Sequence, residues 1–110
     1  PLIDANMAAA RERYGSDVPV SMHPDIRSRE ACIKSTRLAL ELARRHDARL
    51  HVLHISTADE LALFETDPLI RADGSRKRIT AETCIHFLRF DRADYAERGN
   101  FIKCNPAIKD

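Results

Sequence analysis

Apolar residues recur at helical spacing from the first turn of the chain. Ile3, Met7, Ala10 and Tyr14 share one side, Ala8 and Ala9 add propensity, and Arg11, Glu12 and Arg13 make the far side polar. The pattern predicts a helix over residues 2–14 that Gly15 ends. Residues 16–26 contain Pro19 and Pro24 and read as a connection crossing the surface. Ser28 then stands where it can cap a second helix, with Glu30 at the positive end of its dipole. Ala31, Cys32, Ser35, Leu38, Ala39 and Leu42 form an apolar stripe opposite Lys34, Arg37, Glu41, Arg44 and Arg45, and His46 closes the last turn. Met7 and the small-residue stripe read as core packing, and the charged face as solvated surface.

The period changes at residues 49–57, Arg-Leu-His-Val-Leu-His-Ile-Ser-Thr. Residues 50–55 are short, aliphatic and β-branched, interrupted only by histidines, as expected of a strand covered on both faces. Alternation places Leu50, Val52 and His54 on one face and His51, Leu53 and Ile55 on the other, so the two histidines cannot meet at one point. Ser56 or Thr57 can cap a helix over residues 58–65 that buries Leu61, Leu63 and Phe64 and stops by Pro68. A polar loop follows, in which Asp73-Gly74 has hairpin chemistry, although residues 78–83 read better as the next parallel strand. Residues 91–99 form a short polar helix or turn, and residues 101–105 a brief apolar segment ended by Pro106, expected to be a third strand. Helices alternating with parallel strands make the chain α/β, a slice of a repeating β/α architecture occupying one domain over residues 1–110.

Composition narrows the function classes. The 18 basic and 17 acidic residues are scattered, and a net charge of +1 gives no electrostatic footprint for nucleic acid or an anionic membrane. Cys32, Cys84 and Cys104 are odd in number and far apart, which suggests neither a disulfide framework nor a zinc knuckle and fits a reducing cytoplasm. No apolar run is long enough for a bilayer and no signal-peptide pattern is present. The chain opens on Pro1 and runs at once into helix-like sequence, so it reads as cut from something longer.

Candidate chemistry gathers at the carboxyl ends of the two strands, where parallel α/β folds bind ligands. His54 ends the first, with a β-to-α turn behind it. From that strand alone, a satisfied core histidine in a generic α/β domain is the simpler reading. Glu82, Cys84 and His86 cluster after the second, where Glu82 and His86 suit either a general acid/base pair or a surface ion pair. His23 lies before Pro24 with no second ligand at metal spacing nearby, and reads as a loop histidine.

Three segments together resemble the metal-dependent cyclic amidohydrolases, and dihydroorotases most closely. They are Leu-His-Val-Leu-His-Ile-Ser-Thr (residues 50–57), Ile-Thr-Ala-Glu-Thr-Cys-Ile-His-Phe-Leu (79–88) and Lys-Cys-Asn-Pro-Ala-Ile-Lys (103–109). The resemblance spans nearly the whole chain and outweighs the generic reading. It implies a partial (β/α)₈ barrel, about its sixth and seventh strands with flanking helices, and one or two zinc ions at the carboxyl-end face. His54 matches a metal-ligating histidine, Asn105 the asparagine that hydrogen-bonds the dihydropyrimidine ring, and His86 a histidine near the site without an assigned role. Ile85, Ala107 and Lys109 stand where the family usually has proline, proline and arginine.

The implied activity is the zinc-dependent interconversion of N-carbamoyl-L-aspartate and dihydroorotate in pyrimidine synthesis. The alternatives are a hydantoinase or allantoinase, which share the Glu-Thr-Cys-x-His pattern at residues 82–86, and a catalytically inactive structural partner of a carbamoyltransferase. The remaining metal ligands and the acid/base aspartate implied by the family lie outside this chain, so no catalytic residue is assigned within it and the 110 residues alone are expected to be inactive. A cut barrel exposes strand edges and an apolar inner face, from which self-association is expected.

Overall fold

The computed structural model describes residues 1–109. Helix α1 (Leu2–Tyr14) ends at Gly15, whose φ of 65° suits a residue without Cβ and whose N–H reaches Arg11 O at 2.7 Å. The stretch read as a surface connection is more structured than its prolines suggested. It forms a 3₁₀ turn (Val20–Met22) and a short helix α2 (His23–Ile26) with Pro24 in its first turn, and His23, Pro24 and Ile26 are buried. Asn6 Nδ2 of α1 donates to Asp25 O and Ile26 O, both at 3.1 Å, tying the two helices.

Helix α3 (Arg29–Arg45) starts on Ser28, whose hydroxyl accepts from Ala31 N–H, and ends at His46, as the sequence predicts. Its buried face differs from the expected stripe. Thr36, Leu40 and Ala43 are buried, whereas Leu38 and Leu42 are exposed. Polar Thr36 is accommodated inside because its hydroxyl donates to Glu60 Oε1 at 2.8 Å, which removes the cost of an unpaired buried hydroxyl.

Strand β1 (Leu50–Val52) and strand β2 (Ile79–Ala81) pair in parallel, in the register Leu50↔Ile79, His51↔Thr80 and Val52↔Ala81. The strand expected over residues 50–55 stops at Val52 because His54 takes a left-handed φ of 42° and breaks the extended run. Backbone pairing resumes beyond it, where Ile55 N–H donates to Glu82 O at 2.7 Å. Thr57 caps the intervening helix α4 (Ala58–Leu61), accepting from Glu60 N–H at 3.3 Å. α4 is shorter than expected, and Leu61 lies outside while Glu60 takes the buried position.

The hairpin chemistry at Asp73-Gly74 is also realised. Ile70 and Arg76 form an isolated antiparallel bridge, Gly74 has φ 81°, and Ser75 N–H donates to Asp73 Oδ1; the Ser75 side chain first, and its backbone N–H second, hold that carboxyl below its ordinary range by hydrogen bonding. After β2 come helix α5 (Ile85–Arg89), a 3₁₀ turn (Arg92–Asp94), helix α6 (Tyr95–Arg98) and a 3₁₀ turn (Gly99–Ile102). The third strand expected over residues 101–105 does not form among the described residues. The turn Gly99–Ile102 curls the backbone away from an extended path and turns Ile102 inward while Phe101 is fully exposed.

The core is split. Tyr95, Ile102 and Ile108 pack with Val20, Phe87, Phe90 and Cys104, while Leu40, Ala43 and Ile55 lie buried nearer α3 and the sheet. The whole measures 56 × 29 × 17 Å with a radius of gyration of 16.6 Å, against about 13 Å for a rounded domain of ~100 residues. This thin slab leaves Leu53, Ile85 and Leu88 more than half exposed. Parallel strands are normally covered on both faces, so a bare pair of them is an incomplete layer.

Candidate functional site

The turn from β1 to α4 carries His54 at its apex. The imidazole is half-buried, and its Nδ1 is sealed from solvent with no hydrogen-bond partner among the described residues. A sealed polar nitrogen without a partner costs about 1–3 kcal/mol, which makes His54 Nδ1 an exception among buried polar atoms. His54 opens onto a cavity of about 440 Å³ whose walls include Cys32, Thr36, Val52, Glu60, Asn105 and Pro106.

Asn105 reaches the same cavity from the far end of the sequence. Its peptide bond to Pro106 is cis, and its side chain is exposed while the residues that follow it, Ala107 to Lys109, are buried. The structure thus brings together two of the three residues singled out from the sequence. His86 lies in a different hollow of about 260 Å³ with Phe90, Phe101, Lys103 and Cys104, its ring 4.1 Å from that of Phe87. Glu82 pairs with His51, not with His86: in the parallel register Thr80 and Glu82 lie along the same face as His51, whose ring contacts Thr80 Oγ1 at 2.7 Å and Glu82 Oε2 at 3.2 Å. His51 and Glu82 are both exposed, so their ion pair contributes under about 1 kcal/mol.

Glu60 is the site residue that sequence reasoning missed. It is 4% exposed, and its carboxylate accepts from Thr36 Oγ1 at 2.8 Å, Thr57 Oγ1 at 2.9 Å and Ser56 N–H at 3.4 Å. Nothing in the local pattern distinguishes it from Asp59, which is exposed and paired with Arg29. Only the fold, by setting Thr36 opposite it, makes the buried position tenable.

His23 also departs from the sequence reading. It is 9% exposed and its Nε2 lies 2.8 Å from Cys104 O, a tie across 81 residues. Burial lowers its pKa, partly offset by the hydrogen bond to that carbonyl and reinforced by Lys103, Arg27 and Lys109. Burial also pushes the Cys104 thiol up, away from the thiolate form.

A catalytic zinc takes three protein ligands and leaves one position open. His54, with one unsatisfied nitrogen, is a fit single donor, but no three His, Cys, Asp or Glu side chains converge among the described residues. No helix among them is long and apolar enough to cross a membrane.

No family model matches the chain. It is similar to an allantoinase of Escherichia coli O9:H4 (strain HS), 30% identical over 104 residues that make up 93% of this chain and 22% of the relative. It is likewise 31% identical over 93 residues to an allantoinase of Salmonella enteritidis PT4 (strain P125109) and to one of Salmonella newport (strain SL254), in each case 83% of this chain and 19% of the relative. The chain therefore spans about a fifth of the length of these curated relatives. The similarity is to cyclic amidohydrolases, in the superfamily that also contains the dihydroorotases.

Proposed function

We propose that these residues form part of a hydrolase that opens a cyclic amide, with allantoin as the favoured substrate class. The observation that carries the reading is the shared cavity. A histidine with an unsatisfied nitrogen and an asparagine distant in sequence line one hollow, in a chain similar to allantoinases over most of its length. The Asn105 amide offers one acceptor and one donor group side by side, which complements the alternating C=O and N–H edge of a ureide ring. Ring opening requires an activated water and a polarised carbonyl, chemistry that zinc supplies when further residues complete its ligand set. In this reading His54 is one ligand, Asn105 orients the ring, and the chain is a section of a (β/α)₈ barrel that functions in the cytoplasm as a homo-oligomer.

Dihydroorotase is the second reading, and the presence of Asn105, followed by Pro106, on the His54 cavity is what favours it. The two share ring chemistry and differ in the ring. The deciding experiment uses the longer protein that carries these residues, loaded with zinc, and offers it allantoin, hydantoin and N-carbamoyl-L-aspartate beside the His54→Ala and Asn105→Ala variants. Allantoin opening that disappears in His54→Ala supports the proposal. Closure of N-carbamoyl-L-aspartate in its place moves the assignment to dihydroorotase. A folded, metal-loaded protein that turns over none of them refutes the enzymatic reading and leaves a structural partner of a carbamoyltransferase.

A further inference from the structure

Lys109 is 7% exposed, an unusual place for an ammonium, which is almost never fully buried unless it is paired. Its Nζ donates to Ser56 Oγ at 3.0 Å, across 53 residues, and to Ala107 O at 2.9 Å. Ser56 is the hinge of the arrangement. Its hydroxyl accepts from Lys109 and lies 4.0 Å from Cys32 Sγ, while its backbone N–H donates to the buried Glu60 carboxylate. Glu60 in turn is fixed by Thr36 of α3 and Thr57 of the α4 cap. A buried cation and a buried anion are thus joined through one serine, and between them they hold three elements: the segment after Asn105, the turn after His54, and α3.

We propose that Lys109 is a positioning residue, which acts through Ser56 and Glu60 to clamp the Asn105 segment onto the His54 turn and so sets the spacing of those two side chains across the cavity. The inference rests on the reading that His54 and Asn105 serve one site. Packing alone does not explain the lysine. Ala107 and Ile108, 0% and 1% exposed, already seal the segment, and an apolar side chain at residue 109 fills space without the cost of desolvating an ammonium. What the ammonium adds is direction: its bond to Ser56 Oγ ties the segment to one serine and not merely to an apolar surface, while its bond to Ala107 O holds the ammonium against its own segment. Ser56 lies two residues beyond His54 and Ala107 two beyond Asn105, so the clamp closes next to both.

The test has two arms. The first follows the His54 ring and the Asn105 side-chain amide by NMR in the 110-residue chain, in Lys109→Met, Lys109→Arg and Ser56→Ala. Lys109→Met and Ser56→Ala are expected to shift or broaden both reporters while the amides of Tyr95 and Ile102 stay in place, and Lys109→Arg restores them. Ser56→Ala removes one hydroxyl only, so it decides the matter if Lys109→Met fails to fold. Unmoved reporters, or core amides that move as far as they do, overturn the inference. The second arm measures allantoin turnover in the longer protein. There Lys109→Met is expected to raise KM roughly tenfold with kcat little changed, and to add nothing to Asn105→Ala. Full additivity with Asn105→Ala also overturns it. A longer protein with no turnover ends the functional reading and leaves the NMR outcome to judge the clamp.

Discussion

Replacing Ile108 by alanine tests whether the end of the chain is docked as described. Ile108 is 1% exposed and packs with Tyr95, Ile102, Phe87 and Phe90. The substitution removes three buried carbons, worth about 2.4 kcal/mol at ~0.8 kcal/mol each. Tyr95 and Ile102 are held by short helical elements and collapse only partly into the space, so a cavity contribution brings the expected loss to about 3–4 kcal/mol. That is a large share of the ~5–15 kcal/mol that stabilises a domain. Urea unfolding followed by circular dichroism reads it as a lower midpoint at constant slope. Phe101→Ala is the control: its ring is fully exposed and its removal is expected to change stability by less than about 0.5 kcal/mol. A loss under about 1 kcal/mol for Ile108→Ala, or an equal loss for Phe101→Ala, refutes the docking of this segment.

Further outcomes follow from single contacts. Ser28→Ala removes the cap of α3 and is expected to cost about 0.5–2 kcal/mol, read as a lower urea midpoint. His23 is held neutral by burial, with a folded-state pKa below its ordinary value of 6.5, so the unfolded chain binds more protons than the folded one in the window just below that value. Stability is therefore expected to be fully present above pH ~7 and to fall as pH drops through 6.5 toward the folded pKa, with a flatter urea-midpoint profile between pH 7.5 and 5.5 in His23→Gln; equal profiles count against the buried tie to Cys104. With Leu53, Ile85 and Leu88 exposed beside an uncovered strand pair, sedimentation of the 110-residue chain is expected to show concentration-dependent association. A single monomeric species up to high concentration argues against it.

Local signals were legible and long-range ones were not. The limits of α1 and the Ser28 cap follow from periodicity and capping within a few residues, and the parallel pairing of the two strands from the alternation of helices with strands. The buried side of α3 is not legible locally, because Leu38 and Leu42 look better for a core than Thr36, and only Glu60, 24 residues on, reverses the preference. The pairing of Glu82 with His51 was within reach, since alternation in a parallel pair aligns Thr80 and Glu82 with His51. His54 and Asn105 were singled out by resemblance, yet no local pattern says that they line one hollow. His23 carries no signal at all, because its partner is a backbone carbonyl, and every residue has one.

The ties that close the cavity bind residues synthesised far apart. His23 waits for Cys104, 81 residues later, and Ser56 for Lys109, 53 residues later. Loops of that length close only after an entropic penalty that nearby contacts do not carry, whereas α1 and α3 can form as they emerge from the ribosome. The helices therefore come first and the hollow last. Until residue 109 has left the exit tunnel, His54 sits on a turn without its opposite wall, and the nascent chain holds the lining of a hollow but no hollow.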